Sequence, residues 1–237
     1  MKKFMLAAVI AAVGALGVAS VASAINGTQG VSAKITHNKA GTKDKPKSVG
    51  ALTVTTTTTP APNDAPFATS KAVLYFDKNL VFGGSKFKSC TTTSGASIDS
   101  TCKSSKVGSG SAKGVALGQI ENLTVTAYNA AKGKKLYLHV LGTAPLVIDA
   151  VMIASLSNSS GDYGRKLTVP IPANLQQPVP NVFATLTSFI TKVSGTSKGV
   201  PYVGLKGCSG GKLKFKGQFF YTDGTNKTAT STTTCKK

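Results

Sequence analysis

The sequence predicts an all-β protein, a β-sandwich of immunoglobulin-like or related type with long loops. Three observations carry that expectation. Short runs of alternating apolar and polar residues recur along the chain, turns rich in Gly and Pro separate them, and no segment beyond residue 24 shows a sustained, capped helical period.

Residues 1–24 stand apart from this pattern. Met1, Lys2 and Lys3 lead into an apolar stretch over 4–18, which ends at Ala22-Ser23-Ala24. A basic start, an apolar centre and a small-x-small exit describe a secretory signal peptide. The apolar run is shorter than the ~20 residues that a spanning helix needs. No later segment reads as membrane-spanning, so none is expected once the signal is cleaved. The remaining residues, 25–237, are expected to form a single secreted β-sandwich domain.

Strands are expected first at 31–37 and 49–59, flanking a lysine-rich loop. The second run ends in five threonines, Thr55 to Thr59, which suit a solvated strand but also suit a tether leading into Pro60 and Pro62. Further strands are expected at 72–76 and 80–82. A Ser/Thr/Gly-rich stretch at about 83–114 then reads as a long irregular loop, uncommon unless pinned. Strands resume at 123–128, 135–141, 147–156 and 167–171. Pro170, Pro172, Pro178 and Pro180 exclude a regular central strand between them. The segment 182–193 alternates well. Lys212-Leu213-Lys214-Phe215-Lys216 is the cleanest period-two run, and Asp223-Gly224 turns the chain into a return strand at 227–234.

The four cysteines are Cys90, Cys102, Cys208 and Cys235. An even number in an exported chain points to disulfides, and three pairings are open. Local pairing, Cys90 with Cys102 and Cys208 with Cys235, is preferred, because the predicted hairpin brings the second pair together. No C-x-x-C pair is present and neither His37 nor His139 lies near a cysteine in sequence, so no metal site is expected.

Charge narrows the partners. Without Lys2 and Lys3, 26 basic residues face 8 acidic ones, a net charge of +18. All the basic residues but Arg165 are lysines. Lysine is a mobile point charge that attracts polyanions diffusely, whereas arginine is favoured for two-pronged reading of bases and phosphates. Specific nucleic-acid recognition is therefore not expected. The stripe Lys212, Lys214 and Lys216 places alternate side chains on one strand face ~7 Å apart, with Phe219, Phe220 and Tyr221 just beyond as stacking partners. The three lysines and Tyr221 are the candidate ligand-binding residues. Lysines on an edge strand also serve simply to block unwanted strand pairing.

No catalytic residue is expected. Gly207-Cys208-Ser209-Gly210-Gly211 matches the nucleophile-elbow pattern, but a lysine-alternating strand follows it where a helix is needed, and no histidine lies downstream. His139 reads as a packed or surface strand residue. No cofactor motif is present.

Several segments together resemble a group of uncharacterised secreted β-rich proteins of actinobacteria. They are Lys39 to Lys43 with Lys45-Pro46-Lys47, the run from Leu80 through Gly83-Gly84 to Phe87 before Cys90, Gly108 to Ala112 after Cys102, and Cys208 ahead of a Lys-Phe-Lys strand. The resemblance implies secretion and a sandwich-like fold, and no activity. The near absence of arginine departs from it.

The expected function is that of a secreted, non-enzymatic protein associated with the cell envelope, binding anionic surface polymers through lysine-rich faces. The alternative is a structural or adhesive extracellular protein that meets other surface proteins through sheet edges. A secreted hydrolase centred on Ser209 ranks below both.

Overall fold

A computed structural model describes residues 27–62 and 67–237. The expected signal peptide lies outside the described residues. The elements run β1 (Thr28–Ile35), β2 (Lys47–Ser48), β3 (Ala51–Thr59), β4 (Thr69–Asp77), β5 (Leu80–Phe82), α1 (Gly95–Thr101), β6 (Lys106–Ala116), β7 (Gln119–Ala130) and β8 (Lys135–Gly142). They continue with β9 (Ile148–Asn158), β10 (Tyr163–Pro170), α2 (Ala173–Gln176), β11 (Thr185–Ser194), β12 (Thr196–Ser197), β13 (Val200–Pro201), β14 (Val203–Leu205), β15 (Lys212–Tyr221) and β16 (Asn226–Thr234).

Eleven strands form one sheet in the order β1-β3-β11-β6-β7-β8-β9-β10-β4-β15-β16. Every pairing between neighbours is antiparallel. A small sheet, β2-β14-β5, and the ribbon β12-β13 complete the strands. The all-β sandwich expected from the sequence is present, with one distinction. Its two layers belong to the same curled sheet, so residues of β3 and β11 line the same interior as residues of β4, β8, β9 and β10.

Period-two alternation explains how one sheet encloses one core. Leu123, Val125 and Ala127 of β7, Leu136, Leu138 and Val140 of β8, and Met152 and Ala154 of β9 all point inward. Leu213 and Phe215 of β15 join the same cluster from the far end of the strand order. Curling brings the two edge strands side by side. The Lys236 N–H donates to the Asn38 carbonyl at 2.8 Å, and the Ala40 N–H donates to the Lys236 carbonyl at 2.8 Å. Thr233 Oγ1 donates to the Ala33 carbonyl, and Lys227 Nζ to the Gly27 carbonyl at 2.8 Å. Each edge thus shields the other's unpaired backbone groups, which limits strand addition from outside.

Two expectations need refinement. The threonine run is strand, not tether: Thr55 to Thr59 pair with β1 on one side, and Thr55 to Thr57 with β11 on the other. The stretch 83–114 is also more regular than expected. It holds α1 and most of β6, a strand between β11 and β7. Gly108 and Gly110 explain why β6 looks like a loop in sequence. A Cβ at Gly110 would come within 1.8 Å of the Ile190 carbonyl oxygen, and one at Gly108 within 2.3 Å of that of Lys192. Here glycine permits close approach of β11.

Candidate functional site

The lysine stripe lies on the outer face of β15, and strand register gathers further groups around it. Cross-strand partners share a face. Lys216 is opposite Tyr75 of β4, which is opposite Lys166 of β10, and Phe220 is opposite Lys71. Five lysines, at 71, 166, 212, 214 and 216, therefore share one outer surface.

Aromatic rings hold two of these ammonium groups in place. Lys216 Nζ lies 4.1 Å from the Tyr75 ring centroid and 5.2 Å from that of Tyr163. Lys71 Nζ lies 4.1 Å from the Phe220 centroid. The Tyr75 and Tyr163 rings are themselves 5.6 Å apart, and Tyr75 OH donates to Gln218 Oε1 at 2.7 Å. Such cation–π contacts restrain otherwise mobile side chains. Lys214 Nζ donates to Asp162 Oδ2 at 2.7 Å. That hydrogen bond and the opposite charges hold the Asp162 carboxyl below its usual range and the Lys214 ammonium above its own. Both side chains are half exposed, so the pair is weak and salt-sensitive. Lys212, Lys214 and Lys216 thus come together as expected, although Lys214 is engaged by a carboxylate.

Tyr221 does not share their face. Alternation sends it inward, where it is buried, packs edge-on against Phe67 at 5.2 Å, and donates to Gln29 Oε1 at 2.7 Å. Burial, with a smaller contribution from Asp223, pushes its phenol up to about 12. Phe220 is the aromatic residue that β15 presents outward beside the lysines.

Both local disulfides form, Cys90–Cys102 and Cys208–Cys235. Ser209 sits in the turn before β15, and its Oγ accepts from Asn79 Nδ2 at 3.3 Å. Asn79 Nδ2 also donates to Asp77 Oδ1 at 2.9 Å, so this contact belongs to a turn network.

A polar cluster escaped the sequence reading. His139 of β8 is buried beneath α1. Its Nδ1 lies 3.0 Å from Asp99 Oδ1 on α1, and its Nε2 lies 2.9 Å from Asp149 Oδ1 on β9. Tyr128 OH donates to the same Asp99 oxygen. Both ring contacts are hydrogen bonds when the ring is an imidazolium, which donates from each nitrogen. The carboxylates meet the ring from opposite sides and do not converge on a point. Among the described residues no group of three or more His, Cys, Asp or Glu side chains is placed to hold a metal ion. The register contained a signal. His139 and Asp149 flank the β8–β9 turn with equal parity, which puts both on one face.

Among the described residues, no helix is long and apolar enough to cross a membrane. No protein-family model matches the chain, and no curated protein is similar to it. Among solved structures, the chain is similar to the T6 backbone pilin of serotype M6 Streptococcus pyogenes, described as a modular three-domain structure with variable loops and extensions. The match has 12% identity and a TM-score of 0.33, and covers 87% of this chain. It spans 36% of the pilin's length. A superposition this loose assigns neither family nor role.

Proposed function

We propose that the chain is a secreted, non-enzymatic protein of the cell envelope that binds anionic surface polymers through the outer face of β15, β4 and β10. The observation that carries this reading is the set of five lysines on one sheet surface, two of them held by aromatic rings. Ring-held ammonium groups lose less freedom on meeting a polyanion than free lysines do. The net charge of +18 over residues 25–237, 26 basic residues against 8 acidic ones, supplies long-range attraction. Two disulfides suit an oxidising compartment outside the cytoplasm. Pairing through the long sheet edges is a weaker alternative, because β1 and β16 must first separate.

The test is co-sedimentation of the mature protein with purified cell envelopes across a salt series, beside a Lys71→Gln/Lys166→Gln/Lys212→Gln variant. A lysine near an anionic surface contributes about 1 kcal/mol. The triple variant should therefore bind about 100-fold more weakly, and wild-type binding should fall steeply with salt. Absence of binding at low salt would overturn the reading.

A further inference from the structure

The interior of the sandwich is not filled. Val54, Leu74, Leu167, Leu186 and Phe189 pack against the core, yet each retains partial exposure. They line a cavity of about 100 Å3. A second chamber of about 60 Å3 shares Met152, Leu186 and Phe189 with the first. Both are walled almost wholly by apolar atoms. An apolar cavity of about 150 Å3 is large enough to take up benzene.

Two polar side chains, Thr69 and Glu121, interrupt the apolar lining of the second chamber. Glu121 of β7, the chain's only glutamate, is 4% exposed and lines that chamber. Its Oε2 accepts from the Leu146 N–H at 2.9 Å, while its Oε1 has no hydrogen-bond partner. Glycines make room around the carboxyl. A Cβ on Gly142 would lie 2.6 Å from Oε1, and one on Gly114, opposite Glu121 on β6, would meet the Thr185 carbonyl oxygen at 3.7 Å. A buried carboxyl oxygen without a donor is costly, so the position suits an incoming donor.

One wall of the second chamber is built differently from the rest. Ile171, Leu175, Pro178 and Ala184 close the second chamber from the segment that carries α2. That segment bonds largely to itself, as in Gln176 Nε2 to the Ile171 carbonyl at 2.6 Å and the Ala184 N–H to the Gln176 carbonyl at 2.9 Å, and meets β4 through the Ile171 N–H and the Ser70 carbonyl at 2.9 Å. Beneath it β11 and β6 pair from Thr185↔Val115 to Val193↔Gly108, with a register shift between Leu186 and Ser188.

We infer that this interior is a binding site for a small apolar molecule, about the size of a substituted benzene ring, carrying one hydrogen-bond donor that Glu121 Oε1 accepts. The apolar body occupies the space around Met152, Leu186 and Phe189, and the donor head points at β7. Carboxylate-headed molecules are excluded, because their oxygens have no hydrogen to donate to Glu121 Oε1. This site is separate from the lysine face and does not depend on it.

Calorimetric titration with benzylamine, benzyl alcohol, toluene and benzoate tests the inference. Benzylamine and benzyl alcohol should bind about tenfold or more tighter than toluene, the range expected when a buried, unpaired acceptor gains its hydrogen bond. Benzoate should not bind. In Glu121→Gln, checked for native circular dichroism, benzylamine should lose its advantage over toluene. Leu186→Trp fills the shared space and should abolish binding of all four; Ala184→Phe takes its place if that variant does not fold. The inference is overturned if none of the four ligands binds at millimolar concentration, if benzoate binds as well as benzylamine, or if Glu121→Gln leaves the ranking unchanged.

Discussion

The two disulfide-closed regions are linked by the same bond and held by different forces. Cys208–Cys235 ties the start of β15 to the end of β16, strands already joined by a continuous ladder from Lys212↔Thr234 to Phe220↔Asn226. The bridge lies next to the seam where Lys236 meets Asn38 and Ala40. Cys90–Cys102 closes a shorter segment whose helix, α1, rests on the outer face of β7, β8 and β9. There a small satellite core of Cys90, Ile98, Cys102, Tyr128 and Ala130 adjoins the Asp99–His139–Asp149 cluster. One region is held mainly by backbone pairing. The other is a cap held by a cross-link, a few apolar contacts and a charged cluster.

Cutting the bridges should separate the two most strongly. Loop entropy rises with the length enclosed, and the bridges span 27 and 12 residues. On that account, replacing Cys208 and Cys235 with Ser costs about 4 kcal/mol, and replacing Cys90 and Cys102 costs about 3 kcal/mol. The modes of failure should differ. The first pair should lower the global unfolding midpoint in urea. The second should also open the 83–105 segment to limited proteolysis while the sheet remains protected, since few of its backbone bonds belong to the main ladder. Equal protease resistance in both variants would mean that the cap is as integrated as the hairpin.

Removing His139 gives a smaller effect confined to the cap. His139→Leu keeps the bulk beneath α1 but leaves Asp99 and Asp149 without their shared partner. Both carboxylates are roughly half exposed and can turn to water, so the cost should be about 1–2 kcal/mol rather than that of a fully buried charge. Urea unfolding measures it. Proteolysis near α1 should rise while the amides of β15 and β16 keep their exchange rates.

The same contrast explains what the sequence could convey. The hairpin was legible because Lys212 to Lys216 alternate and Asp223-Gly224 marks the turn, both local signals. So was the pairing of Cys208 with Cys235. The cap was not, because α1 has seven residues, too few to show a helical period, and its partners Tyr128, His139 and Asp149 are distant in the chain. β6 was hidden for another reason: its glycines are required by the close approach of β11, a tertiary fact that composition alone reads as looseness. The inward turn of Tyr221 follows from counting alternation onward from Lys216. Glu121 could be seen as the only glutamate, but its orphaned oxygen depends on Gly142 and Leu146, which only the fold brings to it.

Acid should give the smallest effect, and its sign follows from Asp99. Burial raises the Asp99 carboxyl, but hydrogen bonds from Tyr128 and His139, with the charges of His139 and Lys106, outweigh it and hold the group below the usual carboxylate range. A carboxyl depressed in the folded state stabilises above its unfolded value, and that contribution is lost as pH falls through the folded one. Hydrogen exchange at the Ile98 and Cys102 amides, which bond to the Ser94 and Ile98 carbonyls, should therefore accelerate relative to the β15–β16 ladder as pH drops below about 4. Asp162 is depressed in the same direction by Lys214, on the outer face of that hairpin. Salt separates the two contributions. The exposed Lys214–Asp162 pair is screened at high ionic strength, whereas the contacts of Asp99 with Tyr128 and buried His139 are screened much less. An acid-induced loosening of α1 that persists in 1 M salt would assign the effect to the cap, and one that vanishes there would assign it to surface charge.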